Sequence, residues 1–329
     1  MNAFKSLALC VAIVGLALLS QEALAQGVTA KTIRIVVPFA AGGPADLLAR
    51  LLAEQFGRAQ GPTMMVENRP GASTVIGTEA VSRATPDGST ILIASNNFVI
   101  NAILRPSVAY DPRTSFEPIC QLLNVPLVLV VNGSSAFHSL DDLLKAARSR
   151  PAELTMAAFG PGTTPHIAEE SLKRAAKVDW TYVPYPGGDA PVVAALLGGH
   201  VMAALITYSA VMEQVKSGAL RPLAVAEGMR IAPLPEVPTI AESGYEGFAE
   251  SGYNSGWLGV VAPAGTPKEV IAHLSTLFVS ALKAPEVTSK LLLQGLYPVE
   301  RCGADFGSYI RKQYDEYTRV IREANINAE

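Results

Sequence analysis

Short, mostly apolar runs recur along this chain with a helical or turn-like stretch after almost every one, and no other feature restricts the fold as much. Runs at 33–37, 64–66, 90–94, 127–131, 154–158, 182–183, 201–206 and 223–226 read as strands. Helical patterns occupy 44–60, 73–84 and 140–148, and helices or turns separate the remaining runs. Strands that alternate with helices are joined by crossovers, pair in parallel and are covered on both faces. The polar, proline-rich stretch 233–250 breaks the alternation and reads as a long connection. A strand resumes at 257–261, and the chain ends in helices from Pro267 and Ala304. No solenoid-type repeat runs through it.

With 329 residues the chain is long enough for two domains, and with 49% hydrophobic and 17% charged residues it is not a disordered one. Lys and Arg number 26 against 29 Asp and Glu, a formal charge of −3. That balance gives no reason to expect nucleic acid or an anionic membrane surface as partner. Four histidines and three cysteines, with no CxxC pair and no HExxH, leave little to hold a metal. No cofactor is expected. A secreted hydrolase is the rival from another class, but no GxSxG elbow or carboxylate dyad of familiar spacing supports it.

The first 25 residues read as an address. Lys5 supplies the positive start, 7–19 is an uncharged apolar run, and Ala23-Leu24-Ala25 makes a small-residue cleavage signal. A spanning helix needs about 20 apolar residues, so 1–25 is expected to be a secretory signal peptide, with the mature protein starting at Gln26. A lipid anchor on Cys10 does not fit, because Leu9 is not small and the cysteine lies inside the apolar run. Export leaves Cys120 and Cys302, an even pair in an oxidising compartment. A disulfide and two buried thiols are both open at this level.

Two strand-to-helix turns have the composition of anion sites. The first is Phe39, Ala40, Ala41, Gly42 and Gly43 before Pro44, and the second runs from Phe159 through Gly162, Thr163 and Thr164. Glycine before the helix, with proline at its first position, leaves backbone N–H groups and the positive end of the dipole facing outward. The plain alternative is that the glycines serve only chain reversal. Neither turn matches GxxxxGK[ST] or a full GxGxxG, so no nucleotide is implied.

These residues resemble a known family. Pro38-Phe39, Gly42-Gly43 and 46–50 resemble the PF-x-PGG-x-x-D-x-x-AR opening of Bug-type, TctC-like solute receptors. Further similarities follow in order: 67–72 to ENRPGA, 86–88 to PDG, and Gly162-Thr163 with 166–168 to GT-x-x-HLA. The series closes with 183–185, 197–199, 237–239, 242–244 and 263–267, and it spans nearly the whole mature chain. The resemblance implies a periplasmic receptor of a tripartite tricarboxylate transporter system with the type II periplasmic binding protein fold. Two lobes would flank a ligand cleft, with crossovers near 123–128 and 250–254. Lobe one would comprise 26–124 and 254–329, and lobe two 125–253, which places Cys120 and Cys302 in the same lobe.

The ligand implied is a small organic carboxylate, held by Phe39, Ala40, Ala41, Gly42 and Gly43 on one side and Gly162, Thr163 and Thr164 on the other. Asn97 and Asn101 could donate to it or cap the local backbone. Asp46 is expected to complement the dipole of its helix, His166 to pack its helix or bond its turn, and Trp257 to fill core between the lobes. Pro186 stands where the family commonly has lysine. Ile206, followed by Thr207, stands where it often has an aspartate that meets a ligand's amino group, so a less polar carboxylate is expected over an amino acid. Thr207 is retained as a ligand contact. The expected partners are membrane subunits of the transporter, with the receptor a monomer. A sensor subunit that presents its ligand to a two-component system would look the same in sequence.

Overall fold

The computed structural model describes residues 32–185, 188–246, 248 and 255–327. The expected signal peptide, Pro186 and the return crossover at 250–254 lie outside them. In chain order the elements are β1 (Thr32–Val37), α1 (Pro44–Arg58), β2 (Thr63–Asn68), α2 (Val75–Ser82), β3 (Thr90–Ser95), α3 (Asn96–Leu104) and β4 (Phe116–Val125). Then come β5 (Leu127–Asn132), α4 (Leu140–Ser149), β6 (Thr155–Ala158), α5 (Thr164–Ala176), β7 (Thr181–Pro184), α6 (Asp189–Leu197), β8 (Ala203–Thr207), α7 (Tyr208–Lys216) and β9 (Leu220–Val225). The last are β10 (Gly256–Pro263), α8 (Lys268–Leu282), α9 (Pro285–Leu293), β11 (Tyr297–Cys302) and α10 (Gly303–Glu323).

The strands form two sheets, β11-β4-β10-β3-β1-β2 and β7-β6-β8-β5-β9. β1 runs parallel to β2 and β3, and β6 runs parallel to β7 and β8, as the alternation predicts. The sheets are nevertheless mixed. β10 is antiparallel to β3 and β4, and β5 is antiparallel to β8 and β9. The cause is the connectivity: β4 passes straight into β5 through Pro126, with no crossover helix to return the chain to the same edge.

Each sheet is covered on both faces. Leu48, Leu52 and Phe56 of α1 pack with Leu274 and Phe278 of α8 on one face of the first sheet. Val81 of α2, Phe98 of α3 and Phe306 and Tyr317 of α10 cover the other. In the second sheet α4 and α5 take one face and α6 and α7 the opposite one. Helix α1 shows how the sequence does this. Pro44 opens it, and its buried residues at 48, 49, 51, 52 and 56 form one apolar stripe. Each such large side chain, fully buried, contributes about 1.5–3 kcal/mol.

Trp257 is core, as expected: its indole N–H donates to Gln313 Oε1 at 2.6 Å and its ring meets Phe306 edge-on. The lobes touch beside it. Ile167 of α5 is buried in the same cluster as Phe98 and Trp257, and Arg174 pairs with Glu323 at 2.7 Å. Cys120 and Cys302, register partners on β4 and the edge strand β11, are joined by a disulfide.

Candidate functional site

In each sheet the chain leaves a strand toward one face and returns to that strand's neighbour from the other. β1 departs into α1 on one face, while β3 is reached through α2 on the other, and β3 and β1 are neighbours. β6 departs into α5 while β8 is reached through α6, and β6 and β8 are neighbours. A crevice opens outside the carboxyl ends of strands at such a switch point, and ligands bind there. Both crevices lie against the crossover. Thr207 at the end of β8 is the register partner of Leu127, one residue past Pro126. Ser95 at the end of β3 is level with Leu258, which pairs in turn with Leu123. A Cβ built on Gly162 would come 2.2 Å from Leu104 Cδ1, so the second turn lies directly on α3 of the first lobe.

The first turn is organised by Asp46. Its Oδ2 accepts from the Gly42 N–H at 2.9 Å and from Arg50 Nε at 2.9 Å, and its Oδ1 accepts from Asn68 Nδ2 at 2.9 Å. The Arg50 hydrogen bond is the largest influence holding the carboxyl at about 2. Gly42 has φ +92°, open to glycine and poor for other residues, whereas Gly43 has an ordinary φ of −85°. The Gly42 N–H therefore serves its own loop. Phe39 is half-buried and Ala40 and Ala41 are exposed. Leu47 is the first helix residue to bond backwards, to Gly43 O, so the N–H groups ahead of it in α1 have no intrahelical partner.

The second turn is tied down in the same way. His166 Nδ1 accepts the Gly162 N–H at 3.2 Å, and its ring stacks on Tyr182 with centroids 4.0 Å apart. Burial pushes this imidazole down to about 4, which keeps it neutral and turn-bonding. Thr163 Oγ1 donates to Gly160 O at 2.8 Å and so closes its own turn. Thr164, buried at the start of α5, makes no side-chain hydrogen bond among the described residues. Glu169 is fully buried below it, and desolvation drives its carboxyl well above the usual carboxylate range.

The asparagines divide. Asn101 Nδ2 donates to Ser73 O at 2.6 Å and to Thr74 Oγ1 at 3.3 Å, a structural task in the neighbouring loop. That loop holds Ala72, Ser73 and Thr74 all at positive φ, three strained residues in succession beside the first turn. Asn97 is half-buried and makes no side-chain hydrogen bond among the described residues. Thr207 Oγ1 donates to Asp189 Oδ1 at 2.5 Å. An acid therefore stands at the end of β8 although Ile206 itself is apolar. Ile206 is fully buried, but the first residue of α6 brings a carboxylate to the end of β8. Sequence reasoning missed Asp189 because it lies far along the chain from Thr207, and it missed Asn68 for the same reason.

A cavity of about 680 Å³ lies elsewhere, and none of the eleven expected ligand contacts is among its walls. Glu227, Tyr297, Arg301 and Lys312 are among its walls, where the end of β9 faces β11 and α10. Burial raises the Glu227 carboxyl to about 7, and it accepts a hydrogen bond from Ser255. Below about pH 4.5 the carboxyl is protonated folded or unfolded. Between 4.5 and 7 the unfolded chain ionises it while the fold resists, so stability falls as pH rises, and above 7 the loss is constant. Melting curves from pH 4 to 8 are expected to show this decline in the wild type and a flatter profile in Glu227→Gln. Parallel profiles in the two proteins would contradict it.

The chain matches the model of the tripartite tricarboxylate transporter family receptor over residues 48–326. Protein BugT of Bordetella pertussis is 34% identical over 296 residues, which covers 89% of this chain and 89% of BugT. Among solved structures, periplasmic binding protein BugD superposes with a TM-score of 0.72 at 32% identity, covering 91% of this chain and 99% of BugD. Rpa4515 of R. palustris, solved with adipate, superposes with a TM-score of 0.75 at 33% identity, covering 90% of this chain and 98% of its own. Two lobes joined end to end, each with a switch-point crevice turned toward the other, are the type II periplasmic binding protein fold. In fold and in sequence alike, this chain belongs to the Bug-type receptor family of the tripartite tricarboxylate transporters, a family of periplasmic solute-binding proteins.

Proposed function

We propose that the protein captures a small organic carboxylate between its lobes and delivers it to the membrane subunits of a transporter. The observation that carries this reading is the pair of opposed crevices, each rimmed by helix N-termini. The Arg50 side chain is 56% exposed and turned to Asp46, and Lys173 pairs with Glu170 and Asp179, so an anion is met by N–H groups and not by these cations. Solute-binding receptors of this family work with a tripartite transporter, and the neighbour solved with adipate holds a dicarboxylate. Lobe one comprises 26–124 and 254–329, lobe two 125–253, and the mature chain is a periplasmic monomer released from its signal peptide after Ala25.

In this reading one carboxylate sits at Phe39, Ala40, Ala41 and Gly43, the other at Thr164 with the Gly162–Thr163 turn, and Asn97 and Thr207 line the walls between. Gly42 and Asn101 support the site from behind. Ligand bonds present only in the closed state drive closure, and no covalent step takes place. A one-site ligand at 100 times its Kd is expected to raise stability by about 2.7 kcal/mol. Thermal-shift screening of the mature protein against mono-, di- and tricarboxylates, sugars and amino acids reads this directly. Shifts with sugars and none with any carboxylate would end the proposal.

A further inference from the structure

We infer that the cavity walled by Glu227, Tyr297 and Arg301 is a second binding site, for a small monocarboxylate with an apolar body, and that its occupant favours closure of the cleft. The site stands apart from the receptor reading above; only its coupling to the cleft rests on that reading.

The topology separates this cavity from the two crevices. Pro126 joins β4 to β5 and Ser255 stands just before β10, so both mark crossovers, and both line the cavity. In the first sheet the crevice at β3 and β1 lies on one side of β4 and β10, and β11 lies on the other. In the second sheet the crevice at β6 and β8 lies on one side of β5, and β9 lies on the other. The crossovers thus divide the space between the lobes. The crevices meet in front of them, and the end of β9 meets β11 and α10 behind. The rear space holds about 680 Å³, within the range of about 300–1,000 Å³ usual for small-molecule sites.

Its walls carry donors that lack acceptors. Arg301 donates from one nitrogen to Gln121 Oε1 at 2.6 Å and stacks on the Tyr309 ring at 4.2 Å, but it pairs with no carboxylate among the described residues. The Tyr297 hydroxyl makes no hydrogen bond among them either. Glu227 accepts from Ser255, and burial holds its carboxyl up to about 7, so at lower pH it is a neutral acid with a proton to give. A guanidinium, a phenol and a neutral carboxyl are all donors, and together they take an anion. Ile231, Pro298 and the Tyr297 ring supply apolar surface in the same walls. That combination suits a ligand whose charge is confined to one end.

The coupling follows from the position of the crossovers. A rotation about them that brings the crevices together draws β9 away from β11. The rear space is therefore wide when the cleft is closed and narrows as the cleft opens. An occupant of the rear binds the closed form better, and linkage makes the effect reciprocal.

The test is calorimetry at pH 6 with benzoate as probe and benzyl alcohol as its uncharged control. It is run on the wild type, Arg301→Gln, Tyr297→Phe and Gly43→Val, each first shown to be folded by circular dichroism. Benzoate is expected to bind the wild type even when the best dicarboxylate from the thermal-shift screen saturates the cleft. Its affinity there should be about 5-fold or more above that for Gly43→Val, whose cleft stays empty. Arg301→Gln should weaken benzoate by about 10- to 100-fold with the cleft ligand still bound. Tyr297→Phe, which keeps the ring, should weaken it less. Benzoate displaced by the cleft ligand, held equally well by Arg301→Gln, or matched by benzyl alcohol would overturn the second site. Equal affinity with the cleft full and empty would overturn the coupling. Benzoate bound through Arg301 while no carboxylate enters the cleft would overturn the receptor reading and the coupling, and uphold the second site.

Discussion

Removal of the Cys120–Cys302 disulfide is expected to lower the free energy of unfolding by about 2–5 kcal/mol. The bond joins positions separated by 182 residues, so in the unfolded chain it closes a loop that contains the whole second lobe. Loop-closure entropy grows slowly with length, which places this cross-link toward the upper end of the range. The native side of the balance points the same way. β11 is an edge strand with β4 as its partner, and its register is interrupted between Pro298 and Arg301. Loss of the cross-link leaves that short ladder to hold the strand from which α10 departs, and α10 carries Phe306, Ile310 and Tyr317 into the core. Cys120→Ala with Cys302→Ala is a cleaner variant than the serine pair, because Cys120 is fully buried and a hydroxyl there would need a partner. Urea titration of the oxidised, reduced and double-alanine proteins should show the last two unfolding at lower concentration. Coincident midpoints for all three would mean that the ladder and α10 suffice alone.

The alternation of strands and helices was readable because the buried strands are short apolar runs and helices such as α1 and α4 carry an apolar stripe. β4 and β11 were not readable by that rule. β4 contains Pro118 and pairs through two bulges, so its burial follows no period of two. β11 is partly exposed throughout and has no apolar face to declare itself. The helix predicted from Ser73 begins at Val75, because 72–74 adopt left-handed backbone that nothing in their residue types demands. Asn97 and Asn101 read as ligand donors or local caps after a strand but lie within α3, whose first residue, Asn96, ties Ser255, Tyr317 and Trp257 together. At the site, both turns were legible, since glycine and proline report local backbone. What stayed hidden was every role that depends on a distant partner, such as Asn68 on Asp46, Asn101 on Ser73 and Asp189 beside Thr207.

Gly42→Val and Gly43→Val are expected to fail in different ways, and the contrast tests how the anion is held. Sequence alone treated the two glycines as equivalent. Gly42 sits at φ +92°, where a β-branched residue is a steric outlier, and its N–H anchors the turn to Asp46. Valine there forces the turn to a new backbone, with a loss of about 1–3 kcal/mol of stability and disordering of the free N–H groups around it. Gly43 has φ −85° and ψ 176°, and a Cβ there meets nothing within 4 Å. Valine at 43 should therefore leave melting unchanged but project methyls in front of the donors at the start of α1. Ligand affinity is expected to fall about 100-fold in either variant, near 2.7 kcal/mol. Arg50→Ala should do much less. It removes an ion pair whose arginine is more than half exposed, and such pairs contribute about 0–1 kcal/mol. Thr163→Ala belongs between them, because its hydroxyl bonds Gly160 O, while Thr164→Ala removes a hydroxyl that is free to reach a ligand and should weaken binding more. Calorimetry with the best carboxylate from the thermal-shift screen, alongside urea melts, separates the stability effect at Gly42 from the approach effect at Gly43. Loss of binding in Arg50→Ala with normal binding in Gly43→Val would show that side-chain charge, not backbone N–H, holds the anion.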